Sequence, residues 1–422
     1  MKTKRPYLTF LIFLACLPLA AFCQDDISWF DSEAVAGHTV RVIPDGATLL
    51  NERLAAINSA KRSIFLSTFI FDEDISPRQI GYALCQQAKR GIEVRVLLDG
   101  FGGKAFYHDY ADSLRECGAG VLLFNPPQWG LHKIHYVIHE KLLIIDGQTV
   151  MMGGNGMGDA YHKLPGAKKY YHDMDVKIDG PAACYYHRAF SKNWHQSLIK
   201  ARKTGALNYE TENSYRLLSD MKILSDCEFV IAGRSKVLAL YNNPLFSKKR
   251  PIWQHYQQAF KSAKQSIKLY APYFVPHNKF INALSQALAR GVDVTIMTNS
   301  IESNDEGFVT LVGMLIKIRT LLKQGLKIRL YKGPETLHRK GGIFDAKWAF
   351  FGSDNLDNRG HQYQSESVIF TDSADAIASI QNEYSSDESN SVSLDKKYVD
   401  RIWNGAGRVK RWLIRHIFLK QL

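Results

Sequence analysis

The sequence predicts an α/β protein of two similar halves, related by a pseudo-twofold axis, each with a mostly parallel sheet, and meeting at a shared active-site cleft. Three observations carry that reading. Apolar strands alternate with helices of ordinary length, as in βαβ units. Short segments recur at offsets of 203, 200 and 199 residues, the mark of an internal repeat. One spacing of histidine, lysine and aspartate occurs twice, once in each half.

The elements follow in order. Leu49, Leu50, Leu54 and Ile57 lie at helical spacing and predict a helix over Gly46–Ser59. Residues 63–70 are rich in β-branched and aromatic side chains and predict a strand. Pro77–Arg90 reads as a helix closed by Gly91, and Glu93–Asp99 as the next buried strand. Gly100–Gly103 lacks a Walker lysine-serine pattern and is a loop near the site. Residues 142–145 and 149–152 flank Asp146-Gly147 as a hairpin. A polar stretch without periodicity, residues 201–221, connects the halves. The order then repeats: helix 252–263, strand 267–273, helix 277–290, strand 293–298, and a packed apolar helix over 308–322. Ser385–Ser393 has the composition of a mobile linker. The halves are bounded at 24–205 and 226–384, with a linker at 206–225 and a linker and basic apolar tail at 385–422.

The repeat is visible residue by residue. Ser59-Ala60-Lys61-Arg62-Ser63-Ile64 recurs as Ser262-Ala263-Lys264-Gln265-Ser266-Ile267. Arg90-Gly91-Ile92-Glu93-Val94 recurs as Arg290-Gly291-Val292-Asp293-Val294. His139, Lys141 and Asp146 form H-x-K-x4-D, and so do His338, Lys340 and Asp345. Each copy continues into a glycine-led turn, Gly153-Gly154 and Gly352-Ser353. A histidine can attack phosphorus and form a covalent phosphoramidate. A second histidine can protonate the leaving alcohol and then deprotonate the incoming one. Two lysines can hold the non-bridging oxygens. The set needs no metal and no cofactor.

The doubled motif with its tails resembles the phospholipase D superfamily, and within it most resembles bacterial cardiolipin synthases. The second tail, Gly352-Ser353-Asp354-Asn355-Leu356-Asp357-Asn358-Arg359, follows the family pattern until Gly360 replaces a serine. The first tail, Gly153-Gly154-Asn155-Gly156-Met157-Gly158-Asp159, departs at Gly156, where the family has an asparagine that donates to phosphate. The resemblance implies catalytic roles for His139, Lys141, Asp146, His338, Lys340 and Asp345, with the two aspartates holding the motif's own turn. It implies that Gly154, Asn155, Ser353 and Asn355 bind substrate, and that Asp173 and Glu366 each orient a histidine. It gives His139 the nucleophile role and His338 the acid/base role. The activity implied is phosphatidyl transfer between glycerophospholipids, with a hydrolase, a nuclease and a non-catalytic lipid-binding protein as alternatives.

Composition and termini fit such a setting. Fifty-four basic against 41 acidic side chains give +13, which favours an anionic partner, phospholipid headgroups or nucleic acid. With the resemblance, the partners expected are anionic and zwitterionic phospholipids at a membrane surface, with no nucleic acid and no required oligomer. Lys2, Lys4 and Arg5 precede an apolar run from Tyr7 to Phe22, the layout of a signal peptide or membrane anchor over residues 1–23, and predict export or membrane association. Cysteines at 16, 23, 85, 117, 184 and 227 include no C-x2-C pair, which argues against structural zinc. Export permits disulfides without naming a pairing, and Cys85 sits in a helical apolar pattern that predicts a core position. Arg408–Leu422 mixes cations with Trp412 and aliphatics, and is either a membrane-surface helix or one docked on the core.

Overall fold

The computed structural model describes residues 29–127, 130, 135–204 and 227–416. The signal-like N-terminus, the connection from residue 205 to 226 and residues 417–422 lie outside the described residues.

One sheet runs through the molecule. In the first half the strand order from the outer edge is Gly120–Phe124, Glu93–Asp99, Ser63–Thr68, Leu142–Ile145, Thr149–Gly153, Asp175–Asp179 and Val35–Ile43. The second half repeats it as Lys327–Tyr331, Asp293–Asn299, Ser266–Tyr270, Gly341–Phe344, Trp348–Gly352, Gln364–Thr371 and Ser235–Asn242, with Ser391–Ser393 added at the edge. The halves join where Val35 pairs with Val237 and His38 with Ser235, antiparallel. The α/β class and the two related halves are as expected, but the sheets are mixed rather than mostly parallel. Only the outer three repeated strands of each half run parallel; the motif hairpin and the strands inside it are antiparallel. Three-residue connections, 146–148 and 345–347, impose that direction on the motif hairpins, because only antiparallel strands can be joined so tightly.

Local chemistry explains the repeated segments. Asp45 caps the helix Gly46–Ser59 by accepting from Thr48 N at 2.8 Å. Gly91 and Gly291 sit at φ of +86° and +83°, ending the helices Ile75–Lys89 and Asn278–Ala289 where a side chain would be strained. The hairpin Leu142–Ile145/Thr149–Gly153 turns at Asp146 and Gly147, both with positive φ. The predicted strand 63–70 stops at Thr68, and the predicted strand 267–273 stops at Tyr270, two residues before Pro272.

One helix of each half reaches across the seam. Pro181–Lys203 packs on the strands of the first half and also on Ser235–Asn242 of the second, and Ala374–Ser389 packs on strands of the second half and also on Val35–Ile43 of the first. One apolar cluster accordingly includes Val40, Ile178 and Tyr186 with Val237, Ile369 and Ile380, all buried. At about 25 cal/mol per Å² of apolar surface removed from water, this shared core holds the two halves in one fixed relation.

Two expectations are corrected. Ser385–Ser393 is not a mobile linker: the helix Ala374–Ser389 and the strand Ser391–Ser393 fill it. Its Asp387 carboxylate accepts from Arg339 at 2.7 Å and from Tyr270 at 2.7 Å, so this acid faces buried partners. Cys85 is not a free core side chain but is bonded to Cys117, tying the helix Ile75–Lys89 to the end of Lys104–Glu116. Cys184 is bonded to Cys227, which fixes the chain where it re-enters after residues 205–226. The last described element is a helix, Arg408–His416, whose Ile414 is fully buried while Val409 and Trp412 stay exposed.

Candidate active site

Two short parallel pairings build the site. Val137 and Ile138 pair with Gln364 and Ser365, and Thr336 and Leu337 pair with Tyr171 and His172. The next residue along each strand is a motif histidine on one side and an acid on the other. His139 therefore meets Glu366, Nδ1 to Oε1 at 2.9 Å, and His338 meets Asp173, Nδ1 to Oδ2 at 2.5 Å. Each half supplies the histidine of one pair and the carboxylate of the other.

Lys141 and Lys340 are buried beside them and donate to the carbonyls of His139 and His338 at 2.6 and 2.5 Å. Burial and the neighbouring Lys340 push the Lys141 ammonium down to about 8. Burial also lowers Lys340, against the pull of Asp173 and Glu366. His139 is held well below the ordinary imidazole value by burial, then by Lys141, Lys340 and Arg359. His338 is pushed down to about 4 by burial and Lys340, with Asp173 opposing. The lysine of each motif thus acts on both histidines, as expected of groups facing one cleft.

The two carboxylates differ. Burial raises Glu366 to about 7 despite Lys141, Ser353 and Lys340. Burial pushes Asp173 up as well, but Lys340 and His338 outweigh it and hold the carboxyl below its usual range. Both imidazoles are neutral near pH 7, so Nδ1–H donates to the acid and Nε2 keeps its lone pair.

The remaining motif positions divide. Asp146 accepts from the backbone N–H groups of Lys61, Arg62 and Ser63 at 2.9, 2.7 and 2.8 Å. Asp345 accepts from those of Lys264, Gln265 and Ser266, each at 2.8 Å. The repeated Ser-Ala-Lys segments are therefore the partners of the motif aspartates. These carboxylates hold the motif's own turn, as expected, and do not join the histidines; the geometry gives them no place among the reacting groups with which they were grouped.

The substrate-binding set is also redistributed. Ser353 donates its hydroxyl to Glu366 Oε2 and is fully buried, so it supports that carboxylate. Asn155 Nδ2 donates to Asp175 Oδ1 at 2.9 Å, and its carbonyl accepts from Arg53 at 2.9 Å. It is held away from the role that Gly156 vacates. A Cβ at Gly156 would lie 2.9 Å from both Ile70 and Tyr161, so the surroundings have closed over the missing side chain. Gly154 is required for another reason: a Cβ there would lie 2.3 Å from Asp173 Oδ2. Asn355 is buried, and its Oδ1, a hydrogen-bond acceptor, has no partner.

Four further groups were given no role by the sequence. Asp99 Oδ2 accepts from Ile138 N at 2.8 Å, and Asn299 Oδ1 accepts from Leu337 N at 2.9 Å. Each clamps the residue before a motif histidine, and their shared position at a strand's C-terminal end was the signal available. Arg53 ties Asp175 to the first glycine turn at 2.8 Å. Arg339, between His338 and Lys340, is buried against Asp387 and Glu383 at 2.7 and 2.6 Å.

Duplicated α/β halves with two histidine–lysine pairs at their seam define a phospholipase D-like protein. The chain belongs to the family described as cardiolipin synthase, PLD-like domain, which matches residues 54–194 and 256–388. It is similar to the major cardiolipin synthase of Bacillus subtilis, 30% identical over 335 residues, 79% of this chain and 65% of that one. It is also similar to a cardiolipin synthase of Oceanobacillus iheyensis, 28% identical over 363 residues, 86% of this chain and 71% of that one. The chain thus spans just under two thirds of the Bacillus subtilis relative's length. The crystal structure of phosphatidylserine synthase from Haemophilus influenzae shares the fold, with a TM-score of 0.65 and 15% identity, over 91% of this chain and 97% of that one.

Proposed function

We infer that the protein transfers phosphatidyl groups between glycerophospholipids through a phosphohistidine, in the manner of a cardiolipin synthase. The observation that carries this reading is the crossed pairing of His139 with Glu366 and His338 with Asp173 beside two buried lysines. The names of the similar proteins support the substrate class.

Nε2 of His139 attacks phosphorus while the leaving alcohol takes a proton from His338. The phosphoramidate on His139 is then attacked by the hydroxyl of a second lipid, whose proton returns to His338. Lys141, Lys340 and Asn355 hold the non-bridging oxygens. The ionised Asp173 stabilises an imidazolium on His338, whereas Lys141, Lys340 and Arg359 oppose one on His139; this supports the assignment of roles. A bound phosphodiester offsets the lysine charges that depress His338, so substrate itself favours loading the proton.

The two disulfides support export, since such bonds persist in oxidising compartments. Among the described residues no helix is long and apolar enough to cross a membrane. Contact with the bilayer surface is assigned to the helix Arg408–His416, where exposed Val409 and Trp412 lie among Arg408, Lys410, Arg411 and Arg415. Lipid mass spectrometry after incubation with phosphatidylglycerol and phosphatidylethanolamine vesicles tests the reading. Cardiolipin is expected; phosphatidic acid would mean that water is the acceptor, and unchanged lipid would mean a binding protein.

A further inference from the structure

A groove of about 740 Å³ runs along the helix Pro181–Lys203, and neither motif histidine nor its lysine or carboxylate lines it. The volume lies within the usual range of sites for small molecules. Its walls are apolar: Tyr185 and Ala189, one helical turn apart, face Val237 and Phe246, with Phe229 at the rim. Tyr185 is 40% exposed and Phe229 61% exposed, which is unusual for aromatic side chains grouped together.

Three cations border this apolar trough. Arg188 and Lys192 lie one turn apart on the same helix, and Lys249 comes from the segment after the strand Ser235–Asn242. Among the described residues none of the three forms an ion pair; Arg188 instead lies over the Phe229 ring at 5.3 Å. The acid lining the groove, Glu33, is taken by His255 at 2.9 Å. An apolar trough with unpaired cations at its edge is complementary to an amphiphile with a hydrocarbon chain and an anionic head.

The polar part of the lining leads to the first motif. Asn243 donates to Asn193 at 2.8 Å, Asn193 to the Tyr241 hydroxyl at 3.0 Å, and that hydroxyl to Glu140 at 3.0 Å. Glu140 stands between His139 and Lys141.

We propose that this groove is a second lipid site, separate from the cleft, that takes an acyl chain and the phosphate headgroup of an anionic glycerophospholipid. The site goes beyond the transfer reading and does not depend on it.

Photo-crosslinking tests it on the full chain in micelles, using phosphatidylglycerol with a diazirine at the end of one acyl chain and peptide mapping by mass spectrometry. Adducts are expected within residues 185–196 and 235–249. They should be lost in Ala189→Trp, which fills the trough, and fall roughly tenfold in the Arg188→Glu/Lys192→Glu double variant, whose changes lie on an exposed face. Melting curves matching those of the unaltered protein confirm that both variants fold. A phosphatidylcholine probe with the same chains should label more weakly. Adducts confined to the cleft, absent altogether, or undiminished in Ala189→Trp would overturn the proposal; equal labelling by phosphatidylcholine would overturn its anionic specificity. The His139→Ala variant should label the groove normally, so failure of the transfer reading and failure of this one are separately visible.

Discussion

His139 Nδ1 lies 2.9 Å from the Oε1 of Glu366, a residue 227 positions later and contributed by the other half of the chain. The same relation holds in reverse for His338 and Asp173. Neither half contains a complete pair. Asp173→Asn and Glu366→Gln keep the size of the side chain but remove the negative charge and turn one of the two acceptor oxygens into an N–H donor, so the imidazole tautomer is no longer fixed. Each should lower kcat by about a hundred- to ten-thousand-fold, the range of general acid–base assistance, while the variant stays folded by circular dichroism. Activity near the original level in both would show that the pairs do not orient the histidines.

The alkaline limb of the pH profile should belong to Lys141. Its ammonium, pushed down to about 8 by burial and Lys340, is charged below that pH and neutral above it. Phosphate binding therefore weakens as pH rises, and kcat/KM should fall above about 8. Lys141→Arg retains its charge throughout and should move that limb upward, whatever it does to the maximum rate. A limb that stays in place in the arginine variant would assign it elsewhere.

The motif aspartates should behave as structural groups. Asp146→Ala removes an acceptor from three backbone N–H groups and should cost about 1.5–3 kcal/mol, by the usual worth of hydrogen bonds to charged groups. Urea titration measures that loss. The folded fraction should retain turnover, unlike the His139→Ala variant. Loss of all turnover in a fully folded Asp146→Ala protein would return the residue to the catalytic set.

Asp387 offers a test of the segment whose composition resembled a linker. Removing it leaves the buried Arg339 guanidinium with Glu383 as its remaining acid. Asp387→Ala should destabilise the protein by about 3 kcal/mol, as when a buried pair is broken. An unchanged urea midpoint would mean the pairing contributes nothing.

At the C-terminus the two roles should separate. Charge reversal at Lys410 and Arg415 should weaken flotation with anionic vesicles, by about 1 kcal/mol for each cation at the lipid surface, and the remaining binding should fall with salt. Ile414→Ala should instead lower the melting temperature, because Ile414 is the buried anchor of that helix. If charge reversal lowers stability and leaves flotation unchanged, the helix is only a packed element.

The halves and their seam were legible because the repeat writes the same contacts twice. Lys61–Ser63 and Lys264–Ser266 recur since each must present three N–H groups to a motif aspartate. Glu366 and Asp173 were readable as acids near a histidine through the family resemblance. The crossing itself was not readable, because strand pairing between distant segments leaves no local periodicity. Asp387 was misread for a related reason: serine, aspartate and asparagine look solvated in a row, and only tertiary structure reveals that one of them faces a buried arginine. Asn155 and Ser353 were misplaced because position in a motif does not say which neighbour takes a hydrogen bond.

The most direct test of the central claim is to quench the protein during turnover of phosphatidylglycerol and locate the covalent phosphatidyl group by peptide mass spectrometry. The account predicts an adduct on His139 and no turnover in either histidine-to-alanine variant. An adduct on His338 would exchange the two roles. Full turnover in both alanine variants, with no adduct on either histidine, would contradict the account outright.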